Sequence, residues 1–440
     1  MIAGCVKKER LYYSAPLLLP ETTREMRSPG FWTSRHASAD TRRLDDQQIR
    51  LFNEHIRKEL KLTRDITGIG ETFPGEELLS RLNDSLTSFS NITYYLATSG
   101  TADKSFLLRL EKNMRLNRIP ADIDVRYGLT NGHVEQRILP AKEGLYDIQW
   151  DVFFDKLQNS SLDMGTPLAV LHESEDGEWL YAIGPASDGW VEKKKVSLFT
   201  REELKEYLDN PDFCVVVSPR ADIFLDPGLT GYRDSAGMGA RFPLGRITDS
   251  RVAEIEIPYR DPDGRSSMKK AYVKKESVSI GNRAYTPRNI LDQAFKLIDA
   301  PYSWGGAYGE QDCSGFLQKV FATAGIFLPR NSAAQAEAGV LLSSFEKQAT
   351  DEEKMNILSG KAAGGVTLIY MDGHIMLFLG MYEGKPYVIH DIWGYRERGL
   401  QGDEARIIGR VSVTGLNLGK DTSSGSLLRR IISISNISAD

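Results

Sequence analysis

Short β-like runs separated by turns dominate the middle of the chain, and they constrain its fold more than any other feature. Between residues 161 and 199, apolar runs alternate with Asp-Gly turn signals, the runs lying at 167–171, 178–183 and 189–191. Strands of this length at this density are typical of a small barrel. This part of the chain is therefore predicted to be β-rich.

A second β-rich block runs from about Phe213 to Gly281. Its run 213–218 has the pattern of a buried strand and contains Cys214, for which we expect inert core packing. The first block ends in Gly189-Trp190-Val191, a sequence that resembles bacterial SH3-like domains. We therefore expect two SH3-like β-barrels in succession.

The two ends of the chain have a different pattern. From Leu44 onwards apolar residues recur at three- and four-residue steps, which predicts a mainly helical N-terminal region. Thr200 and Thr286 each have the pattern of a helix N-cap, and Pro287 follows Thr286 at the first helical position. After Thr286 come two helices separated by a Gly-rich turn, and then strands, an order typical of an α+β domain.

We therefore predict a multidomain α+β protein. The expected domains are a helical N-terminal region, two SH3-like domains and a C-terminal α+β domain, over residues 1–150, 151–210, 211–284 and 285–440.

Composition excludes several classes of protein. The chain has 55 Lys+Arg and 60 Asp+Glu among 440 residues, a formal net charge of −5, whereas nucleic-acid-binding proteins usually carry a strongly basic face. No apolar run approaches the ~18–20 residues that span a bilayer. Three cysteines cannot form a disulfide framework, and the Cys and His residues lack zinc-type spacing. We expect a monomer with no metal, no cofactor and no nucleic-acid partner.

Cys313 is the candidate nucleophile. It follows a Gly-rich turn, and helical spacing resumes at Phe316, so the cysteine is predicted to lie at or near a helix N-terminus. The partial positive charge there favours a thiolate, and backbone N–H groups there can stabilise an oxyanion. The sequence therefore predicts nucleophilic chemistry at this position.

Two histidines can serve the nucleophile. His374 begins one predicted strand and His390 lies near the end of the next, with a turn centred on Gly384 between them. Opposed positions in a hairpin have a constant index sum, here 2 × 384 = 768, and 374 + 390 = 764, so the two side chains are predicted to be neighbours. We assign His374 as general base and His390 as its orienting group.

These motifs resemble the NlpC-type cell-wall cysteine peptidases. The resemblance rests on Asp312-Cys313-Ser314-Gly315-Phe316, on Tyr302-Ser-Trp-Gly-Gly306 and on the Cys-His-His order, and it covers about residues 285–415. It implies a papain-like core and cleavage of peptidoglycan stem peptides between γ-D-glutamate and the diamino acid.

The resemblance also implies substrate-binding positions. Asp312 would pair with the free amine of an N-terminal L-Ala, and Tyr302 would assist at the oxyanion. The full set that matches is Tyr302, Trp304, Asp312, Ser314 and Ser332. Met376, after the histidine, departs from the family's smaller residues.

Two alternatives stay open at this point. One is a non-catalytic peptidoglycan-binding lipoprotein, and the other is an amidase or transpeptidase on the same fold.

The expected location is the cell envelope, with the cytoplasm as the alternative. Ile2-Ala3-Gly4-Cys5 resembles the end of a bacterial lipoprotein signal, so Cys5 is a candidate lipid anchor.

Overall fold

The computed structural model describes residues 12–90, 92–98, 100–246, 251–400 and 402–438. Cys5, on which the lipid-anchor prediction depends, lies outside the described residues. Within them the chain forms several sheets, with most helices towards its two ends, so the α+β class is confirmed. Among the helices of these ranges, none has both the length and the apolar character needed to cross a bilayer.

The N-terminal elements are all short. In chain order they are β1 (Tyr12–Ser14), α1 (Pro29–Thr33), α2 (Asp46–Glu54), β2 (Thr72–Pro74), α3 (Gly75–Thr87), β3 (Tyr94–Leu96), β4 (Gly100–Ala102), α4 (Lys104–Met114) and β5 (Asp122–Asp124).

The N-terminal region, expected to be mainly helical over residues 1–150, divides between two hydrophobic cores. Trp32 and Ile56 are buried in the core of the C-terminal domain. Leu78 and Leu82 are buried with the first β-rich sheet instead. Helices this short are not stable alone and bury their apolar face against whichever larger element lies nearby.

The first β-rich domain is a seven-stranded sheet. Its strands are β6 (Arg126–Thr130), β7 (Val134–Arg137), β8 (Gln158–Leu162), β9 (Pro167–Glu173), β10 (Trp179–Ile183), β11 (Asp188–Glu192) and β12 (Val196–Phe199), in the order β12-β6-β9-β10-β11-β7-β8. The helix α5 (Arg201–Asp209) follows, capped by Thr200 as predicted.

The sheet of the first β-rich domain also includes strands that precede residue 151. Two of the seven strands, β6 and β7, precede it, and a long loop over residues 138–157 separates them from β8 in the chain. Both faces of the sheet are buried: along β10, Tyr181 packs into one core and Leu180 into another. Strand alternation accounts for this, because successive side chains point to opposite faces.

The second β-rich block packs two sheets around one core. Its strands are β13 (Phe213–Val216), β14 (Arg220–Phe224), β15 (Tyr232–Gly237), β16 (Arg241–Pro243), β17 (Val252–Arg260), β18 (Ser266–Lys274) and β19 (Val278–Ile280), in the orders β16-β13-β19 and β15-β14-β18-β17. Cys214 is fully buried on β13 in this core, as predicted.

The C-terminal domain places helices before most of its strands. Its elements are α6 (Pro287–Lys296), an irregular turn (Trp304–Gly309), α7 (Cys313–Ala322), α8 (Ser332–Ala338), β20 (Val340–Ser344), α9 (Asp351–Gly360), β21 (Thr367–Met371), β22 (His374–Tyr382), β23 (Lys385–Gly399), β24 (Gly402–Gly415) and β25 (Ile431–Asn436). Thr286 caps α6, with Pro287 at its first position, as predicted.

One seven-stranded sheet supports the candidate site, in the order β1-β24-β23-β22-β21-β25-β20. The N-terminal strand β1 joins it parallel to β24, whereas its other strand pairs are antiparallel. Phe316 of α7 and Leu377 of β22 share a core on one face, so the helix that begins at Cys313 is packed firmly against the strands that carry the histidines.

Candidate active site

Cys313 is the first residue of α7, and the residue before it caps the helix. The Asp312 side chain accepts hydrogen bonds from the Gly315 N–H (2.8 Å) and from the Ser314 hydroxyl (3.1 Å). This N-cap starts the helix at the cysteine. The position predicted for Cys313 is therefore confirmed.

The turn before Cys313 needs glycine because the first β-rich domain approaches it closely. Gly305 and Gly306 have φ angles of +63° and +72°. A Cβ atom on Gly305 would lie 2.6 Å from a Gln158 side-chain carbon, and one on Gly306 would lie 2.9 Å from the Ser161 hydroxyl oxygen. The Gly-rich sequence thus allows strand β8 to pack directly on the turn.

Lys319 fixes the last part of this turn. Its ammonium donates hydrogen bonds to the carbonyl oxygens of Gly309 and Glu310 and to Oε1 of Gln311, each at 3.0 Å. All three ammonium hydrogens therefore have acceptors. These hydrogen bonds attach the end of the turn, just before Asp312 and Cys313, to the middle of α7.

The Cys313 thiol is protonated at rest, contrary to the thiolate expected from its position on the helix. Burial raises the pKa of Cys313 to about 12; the Asp312 charge adds to the rise, and the Ile375 N–H and Arg330 offset part of it. The helix N-terminus supplies only a partial positive charge, whereas loss of water penalises the full negative charge of a thiolate.

The two histidines are neighbours, as predicted. His374 Nε2 and His390 Nδ1 lie 2.7 Å apart. The β22–β23 hairpin pairs Leu377 with Ile389, an index sum of 377 + 389 = 766, so the two histidines, with a sum of 764, are diagonal rather than direct partners.

Both imidazoles are neutral at neutral pH. Burial lowers the pKa of His374 to about 4; Arg430 adds to this effect, and the Asp312 charge opposes it. Burial and the neighbouring His374 hold the pKa of His390 well below its ordinary value. A neutral imidazole can accept a proton, which is what a general base needs.

The line of hydrogen bonds continues to Thr414, which the sequence analysis missed. His390 Nε2 lies 3.0 Å from the Thr414 hydroxyl oxygen, and Thr414 is fully buried on β24. A single threonine within a strand carries no sequence signal of this kind. Only the strand register brings it to His390.

Arg330 is a second residue that the sequence analysis missed. Its guanidinium donates to both carboxylate oxygens of Asp312, at 3.1 and 2.8 Å, and to the Ser314 hydroxyl at 2.9 Å. Its Nε also donates to the Ser160 hydroxyl at 3.0 Å. Arg330 therefore joins the N-cap of α7 to strand β8 of the first β-rich domain.

Asp391 is buried behind the same turn. It is fully inaccessible, and within the described ranges neither carboxylate oxygen has a hydrogen bond of good geometry. Burial raises the pKa of Asp391 well above its ordinary value, and the Gln311 amide offsets part of that rise. Burial therefore disfavours the ionised form of this carboxyl, which lies close to Cys313 and Asp312.

Aromatic side chains from two domains form one wall of the site. Trp304 is 38% exposed and packs edge-on against Phe154 of the first β-rich domain, with ring centroids 5.6 Å apart. Tyr302 packs against Trp393 at 5.8 Å, and Phe154 packs against the same Trp393 at 5.3 Å.

The five positions taken from the family resemblance do not all lie equally close. Tyr302 is coupled electrostatically to Cys313, and Asp312 and Ser314 flank the cysteine in the chain. Ser332 begins α8, two residues after Arg330, and is half-buried. Among the described residues, no group of three or more His, Cys, Asp or Glu side chains is arranged to hold a metal ion.

Two family models match parts of the chain. Residues 299–400 match the NlpC/P60 family, a range that contains Cys313, His374 and His390. Residues 149–192 match an SH3 domain of the SH3b1 type, a range that contains Phe154 and Ser160.

Curated relatives and a solved structure agree with these domains. A γ-D-glutamyl-L-lysine dipeptidyl-peptidase of Bacillus cereus is 25% identical over 219 residues, which is 46% of this chain and 61% of that protein. The protein of the same name from Bacillus subtilis is 30% identical over 103 residues, 23% of this chain and 35% of that one. The chain thus spans less than two thirds of either relative.

An NlpC/P60 endopeptidase from Photobacterium damselae subsp. piscicida has the same fold over nearly the whole chain. Its structure superposes with a TM-score of 0.75 at 20% identity and covers 98% of this chain and 97% of that one.

Proposed function

We propose that this chain, which carries an NlpC/P60 domain and an SH3b1-type domain, is a cysteine endopeptidase of peptidoglycan stem peptides. The observation that carries the proposal is the juxtaposition of a buried cysteine at a helix start with a hydrogen-bonded histidine pair. The Ile375 N–H acts on the Cys313 sulfur, and His374 is the residue before Ile375. The 2.7 Å contact to His390 occupies His374 Nε2, so Nδ1 is left for the thiol proton.

The proposed reaction begins from a neutral thiol and a neutral imidazole. As the Cys313 sulfur forms a bond to the γ-carbonyl carbon of D-glutamate, His374 Nδ1 takes the thiol proton. It then returns a proton to the leaving amine as the C–N bond breaks. Water hydrolyses the resulting thioester, with His374 again as base, and the free thiol is restored.

Two kinds of donor can hold the oxyanion. The first N–H groups of a helix have no intrahelical acceptor, so the Cys313 N–H at the start of α7 is available. Burial raises the pKa of Tyr302, so its hydroxyl stays protonated and can donate as well.

Substrate recognition is proposed at the γ-D-glutamyl–diamino acid bond, with a preference for a free N-terminal L-Ala. Burial acts to raise the pKa of Asp312, but Arg330 and the hydrogen bonds from Gly315 and Ser314 outweigh it and lower the pKa, so Asp312 is a carboxylate that can receive an ammonium. Among the described residues, Asp312 Oδ2 accepts one hydrogen bond, from Arg330, whereas Oδ1 accepts three, so Oδ2 is the oxygen that can accept a further hydrogen bond. The names of both Bacillus relatives, which specify a γ-D-glutamyl-L-lysine bond, support this choice.

The remaining substrate contacts are proposed for Ser314, Ser332 and Trp304. The hydroxyls would bind peptide and carboxylate groups, and the Trp304 ring, held by Phe154, would wall the cleft. Substrate chemistry and the SH3b1-type domain support an extracytoplasmic location at the cell wall.

A digest of defined muropeptides tests this function. Free stem peptides, glycan-linked stems and the same peptides with an acylated N-terminus would be incubated with the wild-type chain, Cys313→Ala and Cys214→Ala, and the products identified by mass spectrometry. We expect wild type and Cys214→Ala to release L-Ala-D-Glu and a peptide that begins with the diamino acid. We expect no cleavage by Cys313→Ala. Cleavage of a different bond, or transfer to a peptide amine, would favour the amidase or transpeptidase alternative, and binding without cleavage would favour the non-catalytic one.

A further inference from the structure

A buried line of three polar side chains extends behind His374. His374 Nε2 lies 2.7 Å from His390 Nδ1, and His390 Nε2 lies 3.0 Å from the Thr414 hydroxyl oxygen. His390 and Thr414 are both fully buried. Because each ring nitrogen of His390 has one of these contacts, Thr414 is the group that can decide which nitrogen carries the proton.

The protons on His374, His390 and Thr414 can be arranged along this line in two ways. In one, the threonine hydroxyl donates to His390 Nε2, so His390 carries its proton on Nδ1 and donates it to His374 Nε2. The His374 proton is then on Nδ1, and that nitrogen cannot accept a proton from a thiol. In the other, His390 Nε2–H donates to the threonine, His374 Nε2–H donates to His390 Nδ1, and His374 Nδ1 is a free base.

We propose that Thr414 is a positioning residue that accepts the His390 Nε2–H and so holds both imidazoles in the tautomers that leave His374 Nδ1 unprotonated. The inference rests on the proposed function, because it assigns a purpose to the base of that reaction. When His374 takes the thiol proton, its Nε2–H still donates to His390, so the line needs no rearrangement during the step. A wrong tautomer behind a catalytic histidine is known to be costly in other hydrolases.

The strand register makes Thr414 specific for this role. β24 pairs Ser412 directly with His390, and Thr414 directly with Val388, so Thr414 is the diagonal neighbour of His390. The Ser412 hydroxyl has a hydrogen bond to the Arg410 carbonyl and none to the imidazole among the described residues. Ser412 is therefore a matched control: a buried hydroxyl on the same strand, next to the same histidine, outside the line.

Among the described residues, no charged side chain is hydrogen-bonded to His390 in place of Thr414. Burial and the neighbouring His374 lower the pKa of His390. In many triads a carboxylate fixes the orienting tautomer. In this chain the nearest charged candidate along the strand, Asp391, points to the opposite face and lies near Gln311 and Asp312.

The test compares Thr414→Val, Thr414→Ser and Ser412→Ala in the full chain, with a defined free stem peptide as substrate. Valine keeps the shape but has no acceptor, so we expect kcat to fall by about 10- to 100-fold, the loss typical of groups that orient a histidine from behind, with KM within about twofold. Thr414→Ser restores the acceptor and should stay within about threefold of wild type, as should Ser412→Ala.

Histidine ¹⁵N NMR reports the tautomer of His390, which Thr414→Val would not change if Thr414 had a merely structural role. We expect His390 to be protonated on Nε2 in wild type and in Thr414→Ser, and on Nδ1 in Thr414→Val, with His390→Ala used to assign the signal. Wild-type His390 protonated on Nδ1 would overturn the proposal, even if Thr414→Val does not fold. Wild-type kcat in a folded Thr414→Val would also overturn it.

The same experiments separate this inference from the proposed function. If Thr414→Val is fully active while Cys313→Ala is inactive, the inference fails and the peptidase stands. If wild type cleaves no stem peptide, the proposed function fails, and the wild-type tautomer still decides whether Thr414 accepts from His390.

Discussion

The surroundings of Cys214 and Cys313 differ in kind, although both cysteines are buried and burial raises the pKa of both thiols to about 12. Cys214 lies within strand β13, in a core of aliphatic and aromatic side chains. Cys313 begins a helix, and Asp312, Arg330 and the Ile375 N–H act on its sulfur. The resting pKa therefore does not distinguish the two thiols. The difference is that, within the described part of the chain, the histidine pair and the donors proposed to receive a proton and to hold developing charge lie around Cys313 and not around Cys214.

The largest expected effect separates the two cysteines directly. Cys313→Ala should lower kcat/KM for a stem peptide by about 10³- to 10⁶-fold, because no other group can form the thioester. Cys214→Ala should leave kcat/KM unchanged and lower only the melting temperature, because it leaves a small cavity in an apolar core. Steady-state kinetics and thermal melts on both variants make the comparison. Equal loss of activity in both would contradict the assignment of Cys313 as sole nucleophile.

The histidine pair gives the next effect. His374→Ala should lose about 10²- to 10⁴-fold in kcat, the usual contribution of a general base. His390→Ala should lose less, because water can replace part of an orienting contact. The two variants would be compared by single-turnover rates. If His390→Ala has the wild-type rate, another polar residue orients His374.

Asp312 tests whether the polar groups around Cys313 also select the substrate. We expect free N-terminal L-Ala to be preferred over an acylated terminus by about 10- to 150-fold, the worth of one charge-assisted hydrogen bond. Asp312→Asn should reduce this preference for the free N-terminus, because the amide carries no charge to pair with the ammonium. Asparagine remains a good N-cap for α7, so the substitution preserves the helix start.

The ratio of kcat/KM for the two substrates is the measurement, because it cancels any general loss from the weakened Arg330 contact. Equal cleavage of free and glycan-linked stems by wild type would point to an enzyme of intact wall instead.

The pH profile tests the neutral resting state of the Cys313 region. His374 must be unprotonated to act as base, and its pKa is lowered to about 4, so kcat should hold down to about pH 4 and fall below it. Between that value and about 6.5, an unfolded chain binds a proton on this histidine that the folded chain does not, so the free energy of unfolding should decrease as pH falls through this window. If kcat instead fell as pH decreased through about 6.5, the ordinary pKa of a histidine, His374 would not be buried during the reaction.

The smallest effect is expected from Asp391→Asn. Burial raises the pKa of Asp391, so the contribution of this carboxyl to stability is fully present below about pH 3.9, the ordinary pKa of an aspartate, and is lost as pH rises towards and through its raised pKa. The amide keeps the shape without this titration, so the variant should melt at a higher temperature than wild type at pH 7–8 and near the wild-type value at pH 4. Melts at both pH values give the answer, and a variant less stable at pH 7 would show that the carboxylate is ionised in the fold.

Local signals in the sequence predicted much of the site, because they depend on neighbouring residues. The helix at Cys313 follows from the Gly-rich turn and the apolar spacing after it, and the nearness of His374 and His390 follows from the hairpin between them. Thr414 and Arg330 could not be found in this way, because their contacts depend on strand register and on the approach of another domain.

One expectation was wrong. The lowered thiol pKa of Cys313 was inferred from the helix alone, whereas burial is a property of the assembled domains. The membership of β6 and β7 in the first β-rich sheet also depends on tertiary structure, because they reach that sheet across the loop 138–157.

Trapping of the acyl-enzyme tests the central claim most directly. A free stem peptide would be mixed with the wild-type chain, quenched in acid within its first turnover, and digested for tandem mass spectrometry of the peptides that contain Cys214 and Cys313. We predict an L-Ala-γ-D-glutamyl thioester on Cys313 and an unmodified Cys214, with no adduct in Cys313→Ala. An adduct on Cys214, or turnover in the Cys313→Ala chain, would contradict it.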